Sequence, residues 1–188
     1  MYSVNHDVDR INKERLAQLK GEVKEYQAHD NGPAALLDKL QGMTMYPKHL
    51  ELKVGAQVML LKNRDGLVNG SRGVVVKFEK NDTPVVKFVN GRQESIERDT
   101  VEKEVNGQKI SRGQLPLKLA WAITIHKSQG MSLDAVEVEL SGIFEEGQGY
   151  VALSRARTLH GLRVVGFNPT KIRAAARVKT FMKSLPQA

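Results

Sequence analysis

Two stretches of this 188-residue chain concentrate side chains suited to handling phosphate. The first, Leu119-Ala-Trp-Ala-Ile-Thr-Ile-His-Lys-Ser-Gln-Gly130, is an apolar run that ends in small and polar residues. In open parallel sheets ligands sit beyond the carboxyl ends of strands, where such a loop offers backbone N–H groups and hydroxyls. Thr124, His126, Ser128 and Gln129 can each donate to a phosphate oxygen, and Lys127 adds a charge. The alternative is an ordinary loop with one hydrogen-bonded histidine. The second stretch is Gly147-Gln-Gly-Tyr-Val-Ala-Leu-Ser-Arg-Ala-Arg157. Read as a helix, it sets Gln148, Val151 and Arg155 on nearby turns, with Arg155 projecting and Arg157 pointing about 200° away. A guanidinium has a permanent charge and a planar fork, which match the charge that develops on a transferring γ-phosphoryl group. A surface arginine in a nucleic-acid or salt-bridge role is the alternative.

Several chemistries are excluded. The chain has no cysteine, so disulfides, iron–sulfur clusters, thiol catalysis and cysteine-based zinc sites all go together. His6, His29, His49, His126 and His160 show no short metal-ligand spacing, which argues against a metalloenzyme. Gly147-x-Gly149-x-x-Ala152 matches a loose dinucleotide fingerprint, but no convincing strand precedes it and no acid follows to hold a ribose. Glu145 and Glu146 read as a solvated pair near a helix start rather than as catalytic acids. No Gly-x-x-x-x-Gly-Lys-Ser/Thr occurs, so the chain has no phosphate cradle of its own.

Charge placement points to a partner. The formal net charge is +8, and the residues from Gly147 onward hold eight basic side chains and no acid. The other 21 basic residues balance the 21 acidic ones, so the whole excess lies in the last quarter. A polyanion, nucleic acid first, is the natural ligand. The N-terminus lacks the basic and apolar regions of a secretion signal, and no run approaches 18 apolar residues, so a soluble protein without a membrane partner is expected.

The elements that must position these residues follow from periodicity. Val8, Ile11, Leu16 and Leu19 predict a helix from Asn5 to Gly21, and Pro33 to Gly42 predicts a second. Runs at 57–61, 73–78, 85–89 and 94–98, separated by Asn-Gly turns, predict a small β-barrel. After Pro116 the pattern becomes α/β: strands at 117–125, 135–140 and 162–167, a helix over 147–157 and a terminal helix over 170–185. The expectation is a parallel sheet covered by helices and interrupted by a β-rich insert.

These units resemble the C-terminal half of the Pif-one (petite integration frequency) DNA helicases, relatives of RecD. The resemblance rests on Leu52-x-x-Gly55-Ala-Gln-Val-Met-Leu-x-Lys-Asn63, Val68-Asn-Gly-Ser-Arg-Gly-Val75, Gln114-Leu-Pro-Leu-x-Leu-Ala-Trp-Ala122, Ile125-His-Lys-Ser-Gln-Gly130 and Tyr150-Val-Ala-Leu-Ser-Arg-Ala-Arg157. Asp7-Val-Asp-Arg-Ile-Asn12 with Leu16 is similar to the family's motif IV, with Asn5 where an arginine is expected. The resemblance implies a second RecA-like lobe of residues 1–50 and 114–188, with a Src-homology-3-like small barrel inserted at 51–113. It implies 5′-to-3′ unwinding of DNA driven by ATP and magnesium, with single-stranded DNA and forked or structured DNA as partners. Arg155 is then the arginine finger. Gln129 and Gly130 belong to the loop closing on nucleotide, and Thr124, His126, Lys127, Ser128 and Asn63 to the DNA track. The P-loop lysine and the magnesium-binding acids lie in a first RecA-like lobe of the same protein, working as a monomer in the nucleus or mitochondrion, or in the cytoplasm of a bacterium. The chain alone is expected to be inactive. The alternative is a non-catalytic nucleic-acid-binding or adaptor module derived from such a helicase.

Overall fold

Asn5 opens a helix where the periodicity requires one: α1 (Asn5–Gln18) turns Leu16 into a core. A computed structural model describes residues 1–3 and 5–185. They fall into two units, one spanning Asn12–Trp121 and the other combining Met1–Ile11 with the chain from Ala122 onward.

The first unit is antiparallel throughout its sheets. It holds β1 (Lys24–Gln27), β2 (His29–Asn31), α2 (Ala34–Met43), β3 (His49–Leu52), β4 (Gln57–Leu60), β5 (Arg72–Phe78), β6 (Pro84–Phe88), β7 (Gln93–Ser95), β8 (Asp99–Val105), β9 (Gln108–Gln114) and β10 (Leu117–Leu119). The four predicted β runs are β4 to β7, and with β10 they form one ladder in the order β10-β4-β5-β6-β7. Its end strands do not pair with each other, so among the described residues the ladder stays open rather than closing into a barrel. Asn106 and Gly107, at φ +51° and +75°, make the tight turn between β8 and β9, since a two-residue hairpin with the right twist needs positive φ at both positions.

Apolar side chains from β3, β4, β5, β6 and β10, together with Ile96, meet in a core that includes Leu52, Val58, Leu60, Val75, Val86 and Leu117, all fully buried. Truncating any of the leucines to alanine costs about 2–5 kcal/mol by lost burial plus the cavity left behind. A buried cation ties the other sheet together. Arg112 on β9 is 1% exposed. It grips Asp30 of β2 with two parallel bonds of 2.7 and 2.8 Å, and its third nitrogen donates to Gln41 Oε1 and to the Tyr46 carbonyl. The Arg112 bonds hold the Asp30 carboxyl below its ordinary range.

This pairing decides where the units divide. Residues 12–50 were expected to join the motif-bearing lobe, yet β1 pairs with β3, β2 pairs with β9, and Arg112 clamps β2. The boundaries therefore fall at 11/12 and 121/122 instead of near 50 and 114. The apolar run 117–125, expected as one strand, serves both units: β10 lies antiparallel to β4, and only 123–125 enters the other sheet.

The second unit is parallel. β11 (Val136–Glu139) lies beside β12 (Leu162–Val165). Residues 1–3 slot in between β11 and the 123–125 segment: Tyr2 pairs in parallel with Thr124, Met1 donates to the Glu137 carbonyl, and Glu139 N donates to the Met1 carbonyl at 3.0 Å. The order across the sheet is thus 123–125, 1–3, β11, β12. The bridge at Tyr2 was not anticipated, because three residues carry no readable periodicity. Two helices are shorter than expected: α3 (Gln148–Leu153) stops well before residue 157, and α4 (Ala176–Ser184) begins only after a short turn at Pro169–Lys171.

Candidate functional site

Because the strands of the second unit run parallel, their carboxyl ends share one edge, and the loops leaving them are neighbours. At that edge the 123–125 segment passes into a single tight turn, His126–Ser128. Its backbone is fastened from within: Ser128 N donates to the Thr124 carbonyl at 3.1 Å, and Lys127 N donates to Thr124 Oγ1 at 3.3 Å. Ser128 is fully buried, and its hydroxyl donates to the Ile125 carbonyl at 2.7 Å. Thr124 is 4% exposed. Both hydroxyls, expected to face a ligand, shape the turn instead. His126, Lys127, Gln129 and Gly130 are the residues that the turn leaves exposed. Gly130 has φ +81°, a conformation that glycine adopts without a Cβ penalty.

His126 Nε2 lies 2.7 Å from Glu145 Oε2, with both side chains about half exposed. Glu145 sits in the loop after β11, at the same sheet edge. That loop is pinned by Gln148, which is 4% exposed and whose Oε1 accepts from Phe144 N at 3.1 Å and Glu145 N at 3.5 Å. Gly147 caps α3 with φ +76°, and its N–H donates to the Arg173 carbonyl. Sequence reasoning took Glu145 as simply solvated. Nothing in residue type or spacing reveals a partner 19 positions away; only the shared sheet edge does.

Arg155 lies just beyond α3, in the turn that ends it, where its N–H donates to the Ala152 carbonyl at 3.3 Å, so its placement within a continuous helix is corrected. Leu133 N donates to the Arg155 carbonyl at 2.8 Å and Arg157 N to the Leu133 carbonyl at 3.0 Å, which forms a parallel bridge between Leu133 and Ala156. The 200° separation of Arg155 from Arg157 therefore does not hold, since it required a continuous helix. The two arginines are distinguished by their partners. Arg155 Nε donates to the Val151 carbonyl at 3.0 Å, Nη1 to the Met131 carbonyl at 3.2 Å and Nη2 to Ser154 Oγ at 3.0 Å. Arg157, largely exposed, pairs with Asp134 at 2.9 Å.

Each motif stretch thus bonds to a residue just outside the other, His126 to Glu145 and Arg155 to Met131. Asn63 belongs to the other unit, where its Oδ1 accepts from Asn69 N at 2.7 Å and fixes the 63–69 loop.

An anion suits part of this arrangement. Three of the five guanidinium N–H groups of Arg155 are engaged, which leaves two for phosphate oxygens. Among the described residues no group of three or more His, Asp or Glu is placed to hold a metal ion. Among the described residues no helix is long and apolar enough to cross a membrane.

Comparisons with known proteins agree on one family. The family described as "DNA helicase Pif1, 2B domain" matches residues 35–78. The chain is 54% identical over 181 residues to the ATP-dependent DNA helicase PIF1 of Xenopus laevis, a match covering 93% of this chain and 28% of that protein. The crystal structure of Pif1 helicase from Candida albicans superposes with a TM-score of 0.89 at 36% identity, over 98% of this chain and 49% of that one. Pif1 helicase from Bacteroides, in complex with ADP-AlF3 and ssDNA, superposes with a TM-score of 0.75 at 32% identity, over 98% of this chain and 44% of that one. The chain spans under a third of the length of the curated relative and under half of the solved chains.

Proposed function

The chain belongs to the Pif1 family, and from that premise we propose that it forms one motor lobe of an ATP-dependent DNA helicase that unwinds in the 5′-to-3′ direction. The parallel-sheet unit is the second RecA-like lobe, and the antiparallel unit is its Src-homology-3-like insert. Arg155 is the arginine finger, Gln129 and Gly130 belong to the loop that closes on ATP, and His126 and Lys127 meet the single strand. Thr124 and Ser128 hold the turn that presents them, and Asn63 shapes a loop of the insert that touches DNA. ATP and magnesium are held mainly by a first lobe that carries the P-loop, and the complete protein works as a monomer on single-stranded and forked DNA in the nucleus or mitochondrion.

One observation carries this reading: the Arg155 guanidinium bonds to the Met131 carbonyl, directly after Gly130. The arginine and the polar loop are therefore one mechanical body, as a device linking phosphate hydrolysis to a grip on DNA requires. ATP supplies the free energy for closure of the two lobes. This chain's residues contribute a cation at the phosphate end and a polar turn at the DNA end.

The reading is tested by binding of the 188-residue chain to a labelled single-stranded oligonucleotide, followed by fluorescence anisotropy. Weak binding with little sequence preference is expected, because few aromatic platforms are present and phosphate contacts dominate. With about three phosphates neutralised, log K falls with log salt at a slope of roughly −2. Binding that ignores salt between about 50 and 200 mM would place the DNA path elsewhere.

A further inference from the structure

The contact between His126 and Glu145 sets an acidic side chain against the turn proposed to grip DNA. A backbone phosphate and a carboxylate are both anionic acceptors, and both seek the same kind of donor. In this structure the His126 Nε2 site is already filled, at 2.7 Å, by Glu145 Oε2. The carboxylate is not there by chance of a floppy loop. Gln148, buried within the unit, accepts from the backbone N–H groups of Phe144 and Glu145 and so fixes the segment from which Glu145 projects. Gly147 N, bonded to the Arg173 carbonyl, anchors the other side of Glu146. Both partners in the contact are half exposed, a setting in which an ion pair or charge-assisted bond is weak and readily exchanged.

We propose that Glu145 is an affinity-setting residue of the DNA track: without DNA its carboxylate occupies His126 Nε2, and a phosphate oxygen of the single strand displaces it when His126 engages. A grip of this kind releases as easily as it forms, because each time DNA lets go the vacated donor is taken up by Glu145 rather than left to water. The inference rests on the reading above that His126 faces the single strand. No bond is made or broken covalently, and no proton transfer is needed.

The test uses the 188-residue chain and a labelled single-stranded oligothymidylate, with Glu145→Ala, Glu145→Gln, His126→Ala and the Glu145→Ala, His126→Ala double variant, each checked for an unchanged thermal transition. Glu145→Ala is expected to tighten binding by about three- to fivefold, the size of an exposed pair. Glu145→Gln should tighten it less, since the amide oxygen still accepts from His126. Adding Glu145→Ala to His126→Ala should recover less than half of that gain. Weaker binding by Glu145→Ala would make Glu145 an orienter of His126 and overturn the proposal. An equal gain with and without His126 would reduce it to general charge repulsion and overturn it as well. If His126→Ala alone leaves binding intact, the histidine is not a DNA contact, and the underlying reading fails along with the inference.

Discussion

The two units bury their side chains in different ways. The antiparallel unit encloses a core around Leu52, Leu60 and Leu117 and seals a cation, Arg112, among four acceptor atoms. The parallel unit has a smaller core around Ile125, Val138 and Leu140, and it carries the exposed aromatic residues Phe144, Tyr150, Phe167 and Phe181. Its polar residues of interest are partly exposed: His126 bonds to Glu145 at a half-exposed position, and Arg155 bonds only to uncharged acceptors, two carbonyls and one hydroxyl. The contrast separates two tasks. Buried, over-determined contacts give a rigid body, whereas a site that must exchange partners in each cycle needs bonds weak enough to break.

The comparison breaks first, and most visibly, at the two arginines of the motif. In the complete helicase, Arg155→Lys should lower ATP turnover by on the order of 10³-fold, because an ammonium keeps the charge but loses the fork. DNA binding should stay within about twofold, since phosphate contacts elsewhere supply it. Arg157→Lys, which touches only an exposed pair with Asp134, should change turnover little. Steady-state phosphate release with saturating single-stranded DNA separates the two, and equal losses would remove Arg155 from the finger role.

In the antiparallel unit the corresponding lesion is one of stability. Arg112→Ala strands the Asp30 carboxylate and should cost about 3–5 kcal/mol in denaturant unfolding, the range for breaking a buried pair from one side. Arg112→Met together with Asp30→Leu should recover much of it, since two apolar side chains leave no charge unpaired. Hydrogen exchange should show the loss in β2, β8 and β9. If protection fell equally in β11 and β12, the two units would not be distinct cooperative bodies.

A smaller effect is set by pH. The Arg112 bonds lower the Asp30 carboxyl. At Asp99, burial pushes upward, but bonds from Lys62 and Tyr46 outweigh it, and the net direction is also down. A carboxyl with a depressed native value binds fewer protons folded than unfolded, so stability is fully present above the ordinary value of 3.8 and is lost as pH falls below it. The melting temperature should therefore drop steeply below about pH 4, and Asp30→Asn should flatten that drop while lowering stability at neutral pH.

The smallest effect expected is at Ser128. Removing its hydroxyl in Ser128→Ala loses a bond to the Ile125 carbonyl, about 1 kcal/mol. DNA binding should weaken less than in His126→Ala, because Ser128 is buried and His126 is exposed. A larger loss for Ser128 would mean that the turn opens when DNA binds.

What the sequence disclosed follows the same division. Helix α1 and strands β4 to β7 were legible because periodicity and Asn-Gly turns mark them locally. Both motif stretches were legible too, as were the residues that the turn exposes. The sequence hid whatever depends on a distant partner. The segment bridged at Tyr2 is too short to show a period, and Asp30 and Arg112 lie 82 positions apart. Glu145 looked solvated because its histidine comes from another strand end. Thr124 and Ser128 looked available because hydroxyls suit phosphate, yet a tight turn must satisfy its own backbone N–H and carbonyl groups first. Arg155 was expected on a continuous helix, but the bridge between Leu133 and Ala156 overrides a propensity that would have continued it.

The central claim is that this chain furnishes one wall of an ATP site and not the whole of it. Phosphate release measured with magnesium and single-stranded DNA tests it most directly, first with the 188-residue chain alone and then with the chain joined to a first lobe that bears the P-loop. The account predicts background release by the chain alone and DNA-stimulated turnover, dependent on Arg155, once the two are joined. Robust DNA-stimulated turnover that copurifies with the chain alone and persists in Arg155→Lys would contradict it.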